Sequence, residues 1–450
     1  MADLFESVVN LCKRRGFIYQ SSEIYGGLAA TWDYGHLGIE LKRNVRDAWW
    51  QAMVREHEEI VGIETSILMH PEVWIASGHV NEFHDLMVDC KQCRGRFRVD
   101  HLPVKDGAPD FSKCPTCGTK DSFTEPRNFN LMFKTMSGAV EASAQELYLR
   151  PETAQGAFVD FKLTQTNARL KLPCGIAQIG KSFRNEVTTK SFIFRSREFE
   201  QMEMEYFVKP GSQKAWYDHW VQERFAWYQK IGIRPENLRL RPHADKELAH
   251  YAEGCTDVEY NYPNLGWGEL EGIASRTDFD LKAHATHSGK DLSYFDAETS
   301  EKYLPYVVET AVGVDRTVLI ALLDAFHEDE VEGEKRTVLR FSPQLAPVKA
   351  AILPLQKKDE LMALSQGLFR KLQKYWNIEF DVSGNIGRRY RRQDEIGTPW
   401  CFTVDFDSIN DQCVTVRDRD TLQQERIPID SVAELLRSRL DITYASEVTA

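Results

Sequence analysis

Two C-x-x-C pairs carry the plainest chemistry in this sequence. "DCKQCRGRF" holds Cys90 and Cys93, and "KCPTCGTKD" holds Cys114 and Cys117, with twenty residues between the pairs. Four thiolates supplied in this way fill the tetrahedral shell of one zinc ion, and a filled shell makes the metal structural. Free thiols or two redox pairs would use the same residues, but no flanking β-α-β pattern supports redox chemistry. A second concentration of chemistry is "FRSREFEQMEMEYF", residues 194–207, with two arginines, four aromatics and four glutamates. Arg195, Arg197, Phe199, Gln201, Glu203 and Glu205 share one parity, and Met202, Met204, Tyr206 and Val208 the other. Period two marks a strand with one buried face. Upstream, "FRNE" sets Arg184 and Glu186 on one parity, so pairing across the 187–194 loop extends a single face. On such a face an arginine can hold a phosphate, a phenylalanine can stack on a base and a carboxylate can take an ammonium. A ladder of ion pairs on an exposed sheet would use the same pattern.

The elements that must position these groups follow from periodicity. From His36 a stripe of Leu37, Leu41, Val45, Ala48, Trp49, Ala52 and Met53 repeats at 3.6 residues, the mark of an amphipathic helix. "GIETSILMHP" reads as a short β-rich piece ending at Pro71, and residues 88–122 read as an insertion around the cysteines. Residues 172–208 read as two strands around a loop, and helices are expected near 211–231 and 314–327 with strands near 266–274 and 305–312. Beyond "RFSPQLAP" strands and helices alternate, which sets off an α/β domain from 346 to 450 behind a catalytic part at 1–345. There Arg388, Arg389, Arg391 and Arg392 surround Tyr390, a grouping suited to phosphate contact and base stacking, or simply to a solvated helix face. His284 and His287 form an H-x-x-H pair on a polar segment, read as surface or loop residues.

Composition narrows the class. A chain of 450 residues exceeds one ordinary core, so two or three domains are expected. Lys+Arg 56 against Asp+Glu 68 gives −12, which excludes a generally polycationic binder but not a local basic patch. Nine cysteines without an export signal argue against a disulfide framework. No run of 18 apolar residues occurs, so a cytoplasmic protein without membrane contact is expected. Neither a Walker A sequence nor G-x-G-x-x-G is present, so a nucleotide site needs other chemistry.

"FRNE" with "REFEQMEMEYF" resembles motif 2 of the class II aminoacyl-tRNA synthetases, and "VETAVGVDRTVLIALLDAF" resembles motif 3, with Arg316 as its arginine. The helix and strand ending in "ILMHP" resemble motif 1, which in that class forms the dimer interface. "GFIYQSSEIYGGLAATWDYG", "YLRPETAQG", "GELEGIASRTDFDL" and "GNIGRRYRRQDEIGTPWCFTVDFD" are similar, in order and over essentially the whole chain, to the homodimeric glycyl-tRNA synthetases. The resemblance implies an α+β fold: a class II antiparallel sheet flanked by helices, a zinc-ribbon-like insertion and a C-terminal α/β anticodon-binding domain. It implies a homodimer that joins glycine and ATP as glycyl-adenylate and passes glycine to its tRNA.

Residue by residue, the resemblance gives Arg184 the α-phosphate, Glu186 the adenine amino group, and Phe199 with Arg316 the two faces of adenine. Arg195 reaches toward pyrophosphate, Glu269 and the Leu270 backbone contact ATP and its Mg2+, and Asn185, Phe194, Ser196 and Gly313 complete the ATP site. Arg184 and Arg316 carry the catalytic charge, and no nucleophile or base is expected. Glycine has no side chain to grip, so its ammonium needs carboxylates. The family places them at Glu152, Glu203 and Glu309, with Phe199, Gln201, Ala311 and Gly313 around them and Arg98 as a cation for the substrate carboxylate. One methyl separates alanine by only about 1–3 kcal/mol, so steric exclusion is the expected device. Arg388–Arg392 take the tRNA. The chain departs from the family at Thr310 and Ala311, where Pro-Ser is common, and at His36, where proline is commoner. If that serine's hydroxyl touches glycine, Ala311 has no group to replace it. A catalytically silent nucleic-acid-binding paralogue is the alternative, but it would not need Arg184, Glu186, Arg316 and three glutamates together. A ligase for serine or alanine would not match the whole chain.

Overall fold

A computed structural model describes residues 4–440 except 106, 141–142, 188–190, 249–251 and 332. Helix α1 (Leu4–Arg15) precedes α2 (His36–Trp50), which continues through a π turn at Gln51–Arg55. The expected stripe is buried on α2 and its extension, with Ala52 half-buried and Lys42 buried among the apolar side chains. "GIETSILMHP" is a strand only at its start, in β1 (Ile60–Gly62). Residues 63–70 are irregular apart from one bridge between Leu68 and Leu149, which corrects the β-rich reading. Pro71 opens a short helix, Pro71–Ala76, because the first helical position has no N–H bond to lose.

The chain next builds β2 (Cys174–Phe183) and β3 (Glu198–Val208), followed by α3 (Gln213–Lys230), β4 (Leu238–Pro242), β5 (Gly254–Tyr262) and β6 (Gly266–Thr277). Helix α4 (Phe279–Ser288), β7 (Tyr306–Gly313) and α5 (Val314–Ala325) complete this part. Seven strands form one sheet in the order β4-β5-β6-β7-β3-β2-β1, antiparallel except for the β1–β2 pair. Two faces follow from the pleat. Met202, Met204, Tyr206 and Val208 turn into the main core with side chains of α2, α3 and α5. The other parity forms the front of the sheet, where a second core of Phe158, Phe161, Phe207 and Leu281 covers one end. The register sets Ser182, Gly180 and Gln178 of β2 opposite Phe199, Gln201 and Glu203, so the face continues across both strands. Gly180 has no side chain because a Cβ there would come 2.2 Å from the Arg150 guanidinium crossing it.

Around the cysteines a small sheet pairs His84–Asp89 with Arg96–Arg98 and Arg127–Asn130. The C-terminal part contains β8 (Ala350–Pro354), α6 (Asp359–Leu372), β9 (Ile378–Phe380), α7 (Ile386–Ile396), β10 (Trp400–Val404), β11 (Cys413–Asp418), β12 (Gln424–Pro428) and α8 (Val432–Leu440). Its sheet runs β9-β8-β10-β11-β12, parallel over the first three strands, around a core of its own. The two parts are bolted together through a hairpin, Phe326–Val331 and Glu334–Leu339, which leaves the end of α5. Arg336 of the hairpin is 3.3 Å from Asp394 of α7, whose carboxylate also receives Arg417 at 2.8 and 3.0 Å. Arg14 and Arg15 of α1 pair with Glu395 of the same helix.

Candidate active site

A cavity of about 360 Å³ opens on the front of the large sheet. Arg184 follows β2 directly, and its N–H donates to the Arg197 carbonyl at 2.9 Å, carrying the ladder one step past the strand. Its Nε donates to the Pro151 carbonyl at 3.1 Å, and the guanidinium lies 5.4 Å from the Phe199 ring centroid. Arg316, in the first turn of α5, donates to the carbonyls of Phe194 and Glu269 at 3.2 and 3.1 Å. Its guanidinium sits over the Phe194 ring at 4.7 Å. Arg316 also holds the Glu269 carboxyl below the usual range. Arg195 stands 3.6 Å from Glu186. Ser196 has a buried hydroxyl without a partner among the described residues.

Deeper along β3 the lining turns acidic. Glu203 accepts from the Thr153 N–H at 3.0 Å, from the Thr153 hydroxyl, and from the Gln201 amide at 2.6 Å. Burial, with Glu309 and Glu152 nearby, pushes its carboxyl up to about 8. Glu309 accepts from Arg276 at 2.5 Å, yet burial keeps it raised. Burial alone would raise Glu152 too, but His79 at 3.3 Å and Arg276 hold it well below its ordinary value. Ala311 lies opposite Glu203 in the ladder, and both line the cavity with Gln201 and Gly313. Carboxylates outnumber cations at this end, which suits an added positive charge.

Behind the cavity, Lys42 of α2 reaches Glu200 at 2.9 Å and Asp315 at 3.4 Å, and Tyr34 donates to Asp315. The Glu200 N–H also donates to Asp315, at 2.8 Å. This buried group ties α2, β3 and α5 together, so Glu200 is structural. Two expected members stand apart: Arg98 and Asn185 are absent from the lining. Arg98 pairs with Asp100, at 2.7 and 3.0 Å, and with Asp85 at 3.3 Å. Asn185 is held through its backbone by Leu131 at 2.7 Å. Sequence reasoning passed over Arg276, Asp315, Ile193, Gly272 and Val312, which also line the cavity. For Arg276 a signal existed in its i,i+4 spacing to Asp280, which it grips at 2.8 and 3.0 Å. His284 is a further correction: it is buried in α4, within 2.8 Å of the Gln155 side chain.

Comparison with known proteins decides the family. Residues 133–325 match the tRNA synthetase class II core domain (G, H, P, S and T), and residues 349–439 match an anticodon binding domain. The glycine–tRNA ligase of Thermobifida fusca is 52% identical over 456 residues, covering 98% of each chain. That of Acetivibrio thermocellus is 53% identical over 460 residues, covering 97% of this chain and 98% of its own. The chain belongs to the glycine–tRNA ligase family. As a glycine–tRNA ligase it is a class II aminoacyl-tRNA synthetase, an ATP-dependent enzyme that charges tRNA with glycine. Prolyl-tRNA synthetase of Cryptosporidium parvum, solved with L-proline and AMP, superposes with a TM-score of 0.64 over all of this chain and 79% of its own. At 13% identity that likeness is one of fold.

In this glycine–tRNA ligase the sulfurs of Cys90, Cys93, Cys114 and Cys117 lie within 4.8 Å of one another. Cys90 is 3.7 Å from Cys117 and Cys93 is 3.7 Å from Cys114. A tetrahedron with Zn–S of about 2.3 Å has edges of about 3.8 Å, so the donor set fits the metal. A second grouping, His243, Cys255 and Asp257, is closed on itself: His243 and Asp257 are 2.8 Å apart, with the Arg241 guanidinium 3.7 Å from the same carboxylate.

The arginine cluster of α7 divides. Arg389 is 3% exposed, and its guanidinium donates to the carbonyls of Pro354 at 2.5 Å and of Leu355 and Gly384 at 3.2 Å. The Tyr390 hydroxyl bonds Thr403 at 2.6 Å, and its ring lies under Arg417 at 4.7 Å. Neither is free for phosphate or base, which corrects that part of the expectation. Arg392 is tied to Asp381 at 2.5 Å and Arg391 faces Glu334 at 3.9 Å, while Arg388 is exposed.

Proposed function

We propose that the front cavity binds ATP at its arginine end and glycine at its carboxylate end. There the glycine carboxylate attacks the α-phosphorus, the bond to the β-phosphate oxygen breaks, and glycyl-adenylate and pyrophosphate result. A terminal ribose hydroxyl of tRNA(Gly) next attacks the glycyl carbonyl and releases AMP. One observation carries this reading: a single strand face leads from Arg184 and Phe199 through Gln201 to Glu203, so cationic and acidic ends share one cavity. Arg184 holds the α-phosphate and carries the charge that develops there, because a preorganised cation needs no rearrangement in the transition state. Glu186 accepts from the adenine amino group. Phe194, Phe199 and Arg316 enclose the ring, Arg195 meets the pyrophosphate, and Ser196, Leu270 and Gly313 close the pocket. Glu269 would hold Mg2+, which neutralises phosphate charge when bound.

Glu152, Glu203 and Glu309 take the ammonium, and the walls at Gln201 and Ala311 exclude a larger amino acid. Ala311 offers no hydroxyl where the family commonly has serine, so the grip on glycine falls to the carboxylates. We assign residues 1–345 to catalysis and 346–450 to the anticodon, with one structural Zn2+ on the four cysteines, a homodimer built on the α2 region, and a cytoplasmic location. Among the described residues no helix is long and apolar enough to cross a membrane. Pyrophosphate exchange into ATP, run with each amino acid, tests the reading. Glycine alone is expected to support it; exchange with serine or alanine stronger than with glycine would refute it. Metal analysis should return about one zinc per chain, lost together with fold in the insertion when Cys114 is replaced.

A further inference from the structure

Glu205 follows Glu203 by two residues, on the same face of β3, and is 1% exposed. Neither of its carboxyl oxygens has a hydrogen-bond partner among the described residues. Across the ladder its neighbours are Ile176 of β2 and Glu309 of β7. The charged groups facing it are Glu309 from β7, Arg276 from β6, Glu203 from β3 and Asp280 from α4. Arg276 has its guanidinium on Asp280 and Glu309. Burial, with the charge of Glu309 next in weight, keeps the Glu205 carboxyl well above its ordinary value. A buried carboxylate without a donor, beside other acids, is far too costly to stay ionised. Glu205 is therefore a neutral acid, with one O–H to give. Glu309 is the carboxylate beside it across the ladder.

We propose that Glu205 is a positioning residue that donates its O–H to the Glu309 carboxylate, keeping that group ionised and aimed at the glycine ammonium. The inference rests on the reading of Glu309 as an ammonium ligand. A hydrogen bond to the charged form of a carboxyl favours that form. Two adjacent carboxyls sharing one proton also spare the pocket a second buried charge, and they titrate as a pair. The pair thus presents one negative charge to the substrate, on the residue nearest to it.

Three variants test this, read by glycine- and ATP-dependence of pyrophosphate exchange from roughly pH 6 to 9. Glu205→Leu and Glu205→Met remove the donor at similar volume, whereas Glu205→Gln keeps a donor without charge. The apolar variants are expected to raise KM for glycine about tenfold while leaving KM for ATP alone. They should also move the acidic limb of kcat/KM for glycine to higher pH, since Glu309 without its donor takes a proton more readily. Glu205→Gln should stay within about threefold of the parent enzyme, with the limb in place. A Gln variant as impaired as the Leu variant overturns the proposal, because charge rather than donation would then be required. An ordinary KM in the apolar variants overturns it too. If neither apolar variant folds, the Gln variant decides alone by the same KM and limb. Glu203→Gln, assayed in parallel, keeps the two readings apart: ordinary glycine dependence there refutes the ammonium site itself, whereas the outcomes above refute only the role of Glu205.

Discussion

Within two arginine-rich stretches, residues 184–197 and 388–392, Arg184 and Arg389 meet opposite fates. In the first, Arg184 and Arg195 line the cavity, and among the described residues the side-chain hydrogen bonds of Arg184 use one nitrogen, Nε. In the second, the helical turn carries Arg389 into the domain, where carbonyls of Pro354, Leu355 and Gly384 take up its terminal nitrogens. The chemistry of the side chain is the same and the supply of acceptors is not. Carbonyls at the end of β8 are permanent partners, so Arg389 is a cross-link. In the cleft the fixed acceptors are few, which leaves donors for a ligand to meet. An arginine serves recognition to the extent that the fold leaves its donors unspent.

Four measurements would break or sharpen that contrast. The largest effect is expected from Arg184→Ala, where kcat/KM for ATP in pyrophosphate exchange should fall by about 10²–10³ with an almost unchanged melting temperature. A drop in stability instead would make Arg184 a cross-link as well. Arg389→Ala should do the reverse, costing about 3 kcal/mol of folding stability in denaturant titration by stranding buried carbonyls, with exchange per folded molecule preserved. Third comes pH. Glu203, pushed up to about 8, is mostly protonated at neutral pH and binds an ammonium only when ionised. KM for glycine should therefore fall by up to about tenfold per pH unit as pH rises toward that value, and level off above it. A KM independent of pH between neutrality and that value would place the proton elsewhere. The smallest effect belongs to Arg388→Ala, expected to weaken tRNA binding a few-fold and lower its salt slope by about 1 without touching exchange.

Strand parity made much of the cleft legible in advance. Residues two apart share a face, so Arg184, Glu186, Phe199, Gln201 and Glu203 fell together from the letters alone, and all line the cavity. Arg276 and Asp315 did not, because each acts across elements: Arg276 joins β6 to β7 and α4, and Asp315 joins α5 to β3 and α2. Lys42 reads as a solvated residue until Glu200 and Asp315 are seen around it. His284 was misread because its polar neighbours mask a helix whose one buried face packs on Gln155. On α7 the limit was periodic: consecutive arginines point in successive directions about the axis, and the letters do not say which direction is inward. The four cysteines were legible because their chemistry constrains spacing and little else.

The hairpin bolted to α7 leaves from the far end of α5, and Arg316 sits at the near end. Nine residues of α5 separate Arg316 from Ala325, so these two points are held about 14 Å apart on one axis. Their angular phase is as fixed as their distance. A side-chain exchange within the rod leaves that phase intact, but one inserted residue would turn the arginine about 100° relative to the bolt and advance it about 1.5 Å. Length variation between Arg316 and Ala325 is thus the change this architecture can least absorb.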